Sequence, residues 1–429
     1  MNIHATLTGM GSLLARGCLV LLVLTAGLGA QRPVPQQTQP AFDVTAATNA
    51  YLARLSPEKK ARSDAYFEGG YWLQLWDFLW GAAVSLLLLY GRISSRMRDA
   101  ARRITRFSPL QTLVYWVQFV LVTAALSFPL TVYEGFFREH QYGLATQNFA
   151  GWFGDFLKGL AVSAVLGGLL VMALFGIVRR LPSTWHIWGA AAATLFVILG
   201  GLIAPVFIAP LFNKYTRLND PKVVAPILSM ARANGIPAQD VYQVDASRQS
   251  TRVSANVSGF LGTERITLND NLLRRCTLPE IEAVMGHEMG HYVLNHAYKF
   301  IAWAIILALA AFAFLRRASG WALGRWGTRW GIQGIGDVAV TPLAVLLISI
   351  VFFVLTPLLN TLVRTQEYEA DIFGLNAARQ PDGFAEVALK LSDYRKLDPG
   401  PLEEWIFFDH PSGRTRITAA MRWKAENLR

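Results

Sequence analysis

Charge and cysteine are both scarce in this chain. Of 429 residues only 16% are Asp, Glu, Lys or Arg, against 53% hydrophobic, and the mean hydropathy is +0.32. That balance excludes an ordinary soluble enzyme of this size. The two cysteines, Cys18 and Cys276, include one inside an N-terminal apolar run. A mature chain lacking that run could form no internal disulfide, so a disulfide scaffold is excluded as well. Acidic residues are the minority, 29 against 40 basic ones, for a net charge of +11. The basic residues gather in short runs beside apolar segments, where they set membrane orientation, and nucleic acid is not an expected partner. Internal repeats are absent, and the one low-complexity stretch is "QRPVPQQTQP" at 31–40.

Long apolar runs are what the chain has in plenty. Arg16 followed by "CLVLLVLTAGLGA" gives residues 1–30 the layout of a signal peptide or an uncleaved signal anchor. Five further runs, near 72–91, 111–133, 156–178, 185–209 and 336–359, reach the length of about 20 residues that a bilayer requires, and 298–315 just suffices. The expected fold is a mainly α-helical polytopic membrane protein, a bundle of six to seven transmembrane helices in a lipid bilayer. The loops "RISSRMRDAARRITR", "RRLPSTWH" and "RRASGWALGRWGTR" are basic, and simple alternation puts all three on one face. By the positive-inside bias that face is cytoplasmic. The opposite face, periplasmic for a bacterial inner membrane, receives residues 31–71, the loop around Glu134 to Asp155, the block 213–297 and the tail from Asn360.

These readings divide the chain into a leader (1–30), an extramembrane segment (31–71), a first membrane part (72–212), a small soluble subdomain (213–297), two more spans (298–359) and a C-terminal segment (360–429). Within the subdomain "TRVSANVSG" and "ERITLND" alternate polar and apolar residues and are bounded by Gly, Asp and Asn, which predicts a hairpin. "TLPE" follows as a capping box, Thr277 as N-cap and Glu280 three places on, opening a helix predicted to run from Leu278 to about His296.

That helix carries "AVMGHEMGHYVLNH", in which His287, Glu288 and His291 form H-E-x-x-H. Histidines at i and i+4 project from one helix face and can share a metal. Zinc accepts neutral imidazole nitrogens and in catalytic sites keeps three protein ligands. It lowers the pKa of a bound water to about 7, and Glu288, one step around the helix, is placed to take the proton as the water attacks a peptide carbonyl. Gly286 and Gly290 each cost a helix about 1 kcal/mol relative to Ala, and they make sense where strands or substrate come close. A third ligand is needed. "RTQEYEADIFG" offers Glu367 and Asp371, again i and i+4, with Glu369 on another face; one carboxylate could hold the metal and the other hydrogen-bond a ligand histidine. Spacing alone does not choose between them.

From about Tyr51 to the end the chain resembles the zinc endopeptidases that include the type I CAAX prenyl proteases and the bacterial heat-shock protease HtpX. "YEGFFREHQYGLATQNFAGWFGDFLKG" and "PLFNK" are similar to segments on the CAAX side. The resemblance implies a zincin-like α+β catalytic subdomain, one Zn²⁺ per chain, Glu367 as third ligand and Asp371 as its partner behind the metal. "SANVSGF" resembles the family's edge strand, so Asn256 would align the peptide, with Val257 where Ala is usual and a slightly narrowed groove. "FFDHPSGRTRI" resembles the late His-Pro segment, so His410 would stabilise the oxyanion and Arg416 stands at the pattern's arginine. His296 matches a family histidine and is expected to make a structural contact at the membrane end of the helix. Arg364 is expected to be structural, within one turn of a carboxylate. The implied activity is hydrolysis of peptide or protein substrates, CAAX-like or from membrane and envelope proteins. The alternative is a non-proteolytic transporter or assembly scaffold with a structural zinc site. Few ionisable groups lie inside the spans, Asp77 and Asp337 near their ends, which speaks against transport.

Overall fold

The computed structural model describes residues 42–258 and 264–428; the expected signal segment lies outside the described residues. After a short helix α1 (Val44–Leu52) come α2 (Pro57–Tyr90), α3 (Ile93–Ile104), α4 (Ser108–Val132), α5 (Phe149–Arg180) and α6 (Trp185–Ile203). Helix α4 continues through a π-helical turn, Tyr133–Arg138, just past Pro129, whose missing N–H breaks the regular ladder. The soluble part holds β1 (Tyr215–Arg217), α7 (Pro221–Ala233), β2 (Val241–Val244), β3 (Ala255–Ser258), β4 (Arg265–Asn269), α8 (Asp270–Arg275) and α9 (Leu278–Val293). It is followed by α10 (His296–Trp330), α11 (Thr341–Ala378), α12 (Pro381–Lys390), α13 (Pro401–Phe407) and α14 (Gly413–Asn427).

Among the described residues six helical stretches are long and apolar enough to cross a membrane: Pro57–Tyr90, Ser108–Gln141, Phe149–Arg180, Trp185–Leu211, His296–Trp330 and Val338–Ala378. Each of the six predicted runs falls in one of them, but most helices extend well past the apolar run, because the ends are polar turns that stand outside hydrocarbon. Their outward faces keep large apolar side chains bare, for instance Val165, Leu195, Phe207 and Val354. Such a belt belongs against lipid, since soluble surfaces do not carry apolar patches of that extent.

The three basic connections meet at one end of the bundle. Arg92 donates to the carbonyls of Thr328 and Arg329 at 3.1 and 3.0 Å. Arg98 is buried and pairs with buried Asp337 at 2.5 Å while bonding Gly331 O at 2.8 Å, and Arg179 bonds Gly336 O at 3.0 Å. Tyr115, Leu88, Phe119 and Trp330 pack as an apolar core beside these contacts.

At the other end sits a four-stranded sheet of order β1-β2-β4-β3. β3 and β4 form the predicted antiparallel hairpin, with Asn256 opposite Thr267; β4 also pairs in parallel with β2, which pairs antiparallel with β1. Ile266 and Leu268 of β4 are buried against Ile227 of α7 and Met285 and Met289 of α9. The sheet therefore fixes the helix that carries H-E-x-x-H, and leaves β3 as an edge strand beside it.

Candidate metal centre

Helix α9 begins where the capping box predicts: Glu280 accepts the N–H of Thr277 at 2.5 Å and is held by Lys390 at 2.7 Å. It ends earlier than expected. Asn295 adopts φ 58, a left-handed conformation that Asn tolerates better than most residues, and the chain turns so that His296 opens the membrane helix α10 instead of closing α9.

The two glycines of the motif face neither strand nor substrate but α11. A Cβ on Gly286 would stand 2.9 Å from Gly374 O, and one on Gly290 would stand 3.1 Å from Ala370 Cα. Gly374 is equally tight in return, its Cβ position lying 2.7 Å from His287 N. The two helices cross almost backbone to backbone, which carries Glu367 and Asp371 onto the histidine face.

His287, His291 and Glu367 converge as a group that could hold a metal ion. The two histidine Nε2 atoms are 3.1 Å apart, His287 Nε2 is 3.3 Å from Glu367 Oε2 and His291 Nε2 is 3.4 Å from Glu367 Oε1. A tetrahedral ion with bonds of 2.0–2.1 Å separates its ligands by about 3.3–3.4 Å, so the triangle has the edges such an ion requires. The ring nitrogens facing away are also occupied. His287 Nδ1 lies 2.8 Å from Asp371 Oδ1, and Asp371 is fully buried. His291 Nδ1 lies 2.9 Å from His296 Nδ1, whose Nε2 lies 3.1 Å from Glu369 Oε2, itself paired with Lys299 at 2.5 Å. Both arrangements leave Nε2 turned to the centre, the usual way a ligating imidazole is oriented. His296 thus has a definite place, and Glu369, set apart in the sequence reading, anchors it.

Electrostatics favours a cation. Burial pulls His287 down, but the carboxylates of Asp371 and Glu367 prevail and raise it to about 9. Burial and neighbouring His287 lower His291 to about 4, keeping its imidazole neutral. Burial pushes Glu288 up to about 7, and its carboxyl makes no hydrogen bond or ion pair with any described residue. Arg416 Nη2 is 3.2 Å from Glu367 Oε2 and its Nε 3.1 Å from Asp371 Oδ2, the latter an ion pair too oblique for a directed hydrogen bond. His410 Nε2 is 3.2 Å from Glu367 Oε2, and its Nδ1 is 2.8 Å from Asp409 Oδ1.

Arg364 reaches no carboxylate among the described residues. It bonds the carbonyls of Glu404, at 2.8 Å, and Phe408, closing the end of α13 just before His410. Asn256 is exposed on the edge strand, while Ala255 and Val257 turn inward against the Met285 and Met289 cluster. Val257 therefore packs into the core and does not narrow the groove. The cleft, about 170 Å³, is lined by Val253 to Ala255, Val284, His287, Glu288, Phe384, Val387, Leu391, Tyr394, Arg395 and His410, among others. Sequence reasoning missed Arg395 and Tyr394, which stand in a connecting segment without periodicity or motif.

A pair of histidines one turn apart, a carboxylate from a crossing helix and an unpaired glutamate beside them, in a bundle built for lipid, define a membrane-embedded metalloprotease. Comparison with known proteins agrees. The model of peptidase family M48 matches residues 217–424, and that of the CAAX prenyl protease N-terminal region, five membrane helices, matches 37–214. Between them the two matches cover almost all of residues 37–424, a peptidase M48 domain behind a CAAX prenyl protease N-terminal domain. The chain is 28% identical to the uncharacterized metalloprotease YhfN of Bacillus subtilis over 336 residues, 78% of this chain and 79% of that protein. It is 27% identical to CAAX prenyl protease 1 of Saccharomyces cerevisiae, over 73% of this chain and 74% of the relative. Its fold matches the crystal structure of S. mikatae Ste24p with a TM-score of 0.71 at 21% identity, covering 88% of this chain and 94% of the other.

Proposed function

We propose that the chain is a zinc metalloendopeptidase whose single Zn²⁺ is held by His287, His291 and Glu367. A zinc ion there supplies Lewis acidity, making water a nucleophile near neutral pH and polarising the scissile carbonyl. The observation that carries this reading is Glu288: a carboxylate poised in the cleft with no partner among the described residues. A structural metal site has no use for such a group, which favours hydrolysis over a transporter or scaffold. Glu288 takes the proton of the attacking water and passes it to the leaving amine. His410, steadied by Asp409, faces the same point from the opposite wall and donates to the developing oxyanion. Asp371 and His296 hold the two ligand imidazoles, and Arg416 ties Glu367 and Asp371 together. An extended peptide adds along the open edge of β3, where Asn256 lies, in the manner of an added strand.

Peptides with CAAX-like ends or segments of membrane and envelope proteins are the proposed substrates; the names of the relatives support the first, the position of the site the second. Residues 91–107, 179–186 and 316–337 carry twelve arginines and no lysine, with Asp99 and Asp337 as the acids. From Thr341, at that basic end, to Glu367 is about 39 Å along α11, more than the roughly 30 Å of a hydrocarbon core. If the arginines mark the cytoplasm, the site opens on the periplasmic side of a bacterial inner membrane. The test is cleavage of an unstructured reporter by the detergent-purified chain beside Glu288→Gln, with zinc quantified in both. Cutting by the parent alone, stopped by chelator, with zinc in both, bears the reading out. Zinc in both without cutting returns the scaffold, and zinc in neither refutes the ligand set.

A further inference from the structure

One charge in the cleft is used by neither the fold nor the metal centre. Arg395 lines the cleft together with His287, Glu288, Glu367 and His410, and also a smaller pocket with Asp409, His410 and Arg416. Its guanidinium makes no hydrogen bond or ion pair with any described residue. The backbone that carries it is fixed nonetheless. Ser63 Oγ donates to the Arg395 carbonyl at 3.0 Å, Lys396 is tied to Glu68 and Glu403 at 2.6 and 2.7 Å, and Tyr394 lies beneath Arg252. The acids nearby are already engaged: Asp409 with His410, and Glu367 with Arg416 and His410. A half-buried guanidinium has five N–H donors in a fork that fits a carboxylate, and none of those of Arg395 is sealed off from the cleft. The remaining cleft wall, Val253, Val284, Phe384, Val387 and Leu391 among others, is apolar except for Ser254.

We propose that Arg395 is a specificity residue that receives a carboxylate of the bound peptide, selecting substrates in which apolar residues lie close to a chain end or an acidic side chain. The proposal rests on the protease reading above and adds the chemistry by which substrates are chosen. No catalytic step is assigned to Arg395.

The test is binding to the zinc-loaded Glu288→Gln chain in detergent, followed by fluorescence anisotropy. One apolar peptide is offered in three forms: with a free C-terminal carboxylate, with an amidated end, and amidated with a glutamate placed near the end. The same titrations are made with Arg395→Gln and Arg395→Lys added. The free carboxylate is expected to improve affinity by about ten-fold or more, the range of a charge-assisted hydrogen bond. Arg395→Gln should erase that ratio while binding the amidated peptide as its parent does, and Arg395→Lys should restore part of it. A gain shared by the glutamate peptide makes the side chain a source of the carboxylate; a gain confined to the free end makes it the chain terminus. The proposal is overturned by equal affinity for acid and amide, by a ratio that survives Arg395→Gln, or by loss of the amidated peptide in that variant, which marks a structural role. Wild-type cleavage, read by mass spectrometry, separates the two levels. Equal cleavage of all three peptides sinks the carboxylate site and leaves the protease, whereas an intact affinity ratio without cleavage of any peptide or unfolded protein sinks the protease and leaves the carboxylate site.

Discussion

Replacing Gly374 with alanine tests whether the closeness of two helices builds the metal centre. The added Cβ would stand 2.7 Å from His287 N and 3.0 Å from both His287 Cα and Gly286 C. All three are backbone atoms of α9, so no side chain can swing aside. Ordinary contact begins at 3.4 Å, and the helices must part by about 0.7 Å or tilt to the same effect. Global stability has offsetting terms: overpacking costs about 1–3 kcal/mol, and alanine gains about 1 kcal/mol of helix propensity over glycine. The site has no such offset. His287 and His291 ride on α9 and Glu367 on α11, and a site tolerates displacements of only about 0.5 Å.

Gly374→Ala should therefore remain folded, within about 2 kcal/mol of the parent, yet lose zinc to a competing chelator at least about ten times more readily and lose cleavage in step. Gly324→Ala in α10, where the new methyl meets nothing within 4 Å, is the control and should keep both. Zinc is measured by chelator competition and stability by thermal unfolding in the same detergent. If Gly374→Ala holds zinc within two-fold of the parent and cleaves at its rate, the helix crossing does not set the ligand spacing and the reasoning fails.

Three further outcomes are expected. His296→Ala removes the partner of His291 Nδ1 and should weaken metal binding about 10- to 100-fold, whereas a role confined to helix packing would leave chelator competition unchanged. Asp337→Ala leaves buried Arg98 with only the exposed Asp99, at 2.9 Å, as an acidic partner and should cost about 1–3 kcal/mol in unfolding; a loss well under about 1 kcal/mol would mean that Asp99 alone suffices. Asp398 is gripped at both oxygens by Arg414, at 2.6 and 2.8 Å, which lowers its pKa. A lowered folded pKa gives stability present above the unfolded value of about 3.9 and lost as pH falls through the folded one. Because the pair is more than a third exposed, its worth is below about 1 kcal/mol: Asp398→Asn should melt slightly earlier at pH 6 and together with the parent near pH 2.

Much of this architecture could be read from residue patterns because the physics was local. An apolar run of bilayer length has one stable use, the capping box is four consecutive residues, and H-E-x-x-H needs only the 3.6-residue period to bring its histidines together. What escaped was set by contacts distant in sequence. Nothing near Gly286 and Gly290 reveals that their neighbour is α11, some eighty residues on. The left-handed Asn295 that breaks α9 from α10 is one residue with no pattern around it, and His296 acquires meaning only when that break turns its ring toward His291. Arg395 is invisible for the same reason: its isolation is a property of what surrounds it.

The division of the chain at residue 360 falls inside one continuous helix, which bears on how the enzyme is built. Helix α11 does not end where its apolar run ends; it continues unbroken from Thr341 at the basic end to Ala378, so Glu367 and Asp371 belong to the same rod that spans the bundle. Pro357 lies inside the helix and leaves it continuous. In the proposed site α9 of the soluble subdomain supplies two ligands and the membrane helix α11 the third, with Arg416 of α14 bridging Glu367 and Asp371. A fragment ending at Val293 would keep the sheet and the histidines but lack the carboxylate that closes the triangle and the buried Asp371 that orients His287. On that ligand set metal affinity depends on the membrane bundle through two helices, α11 with Glu367 and α10 with His296 behind His291, and any force that shifts α11 along its axis acts directly on the ligand geometry.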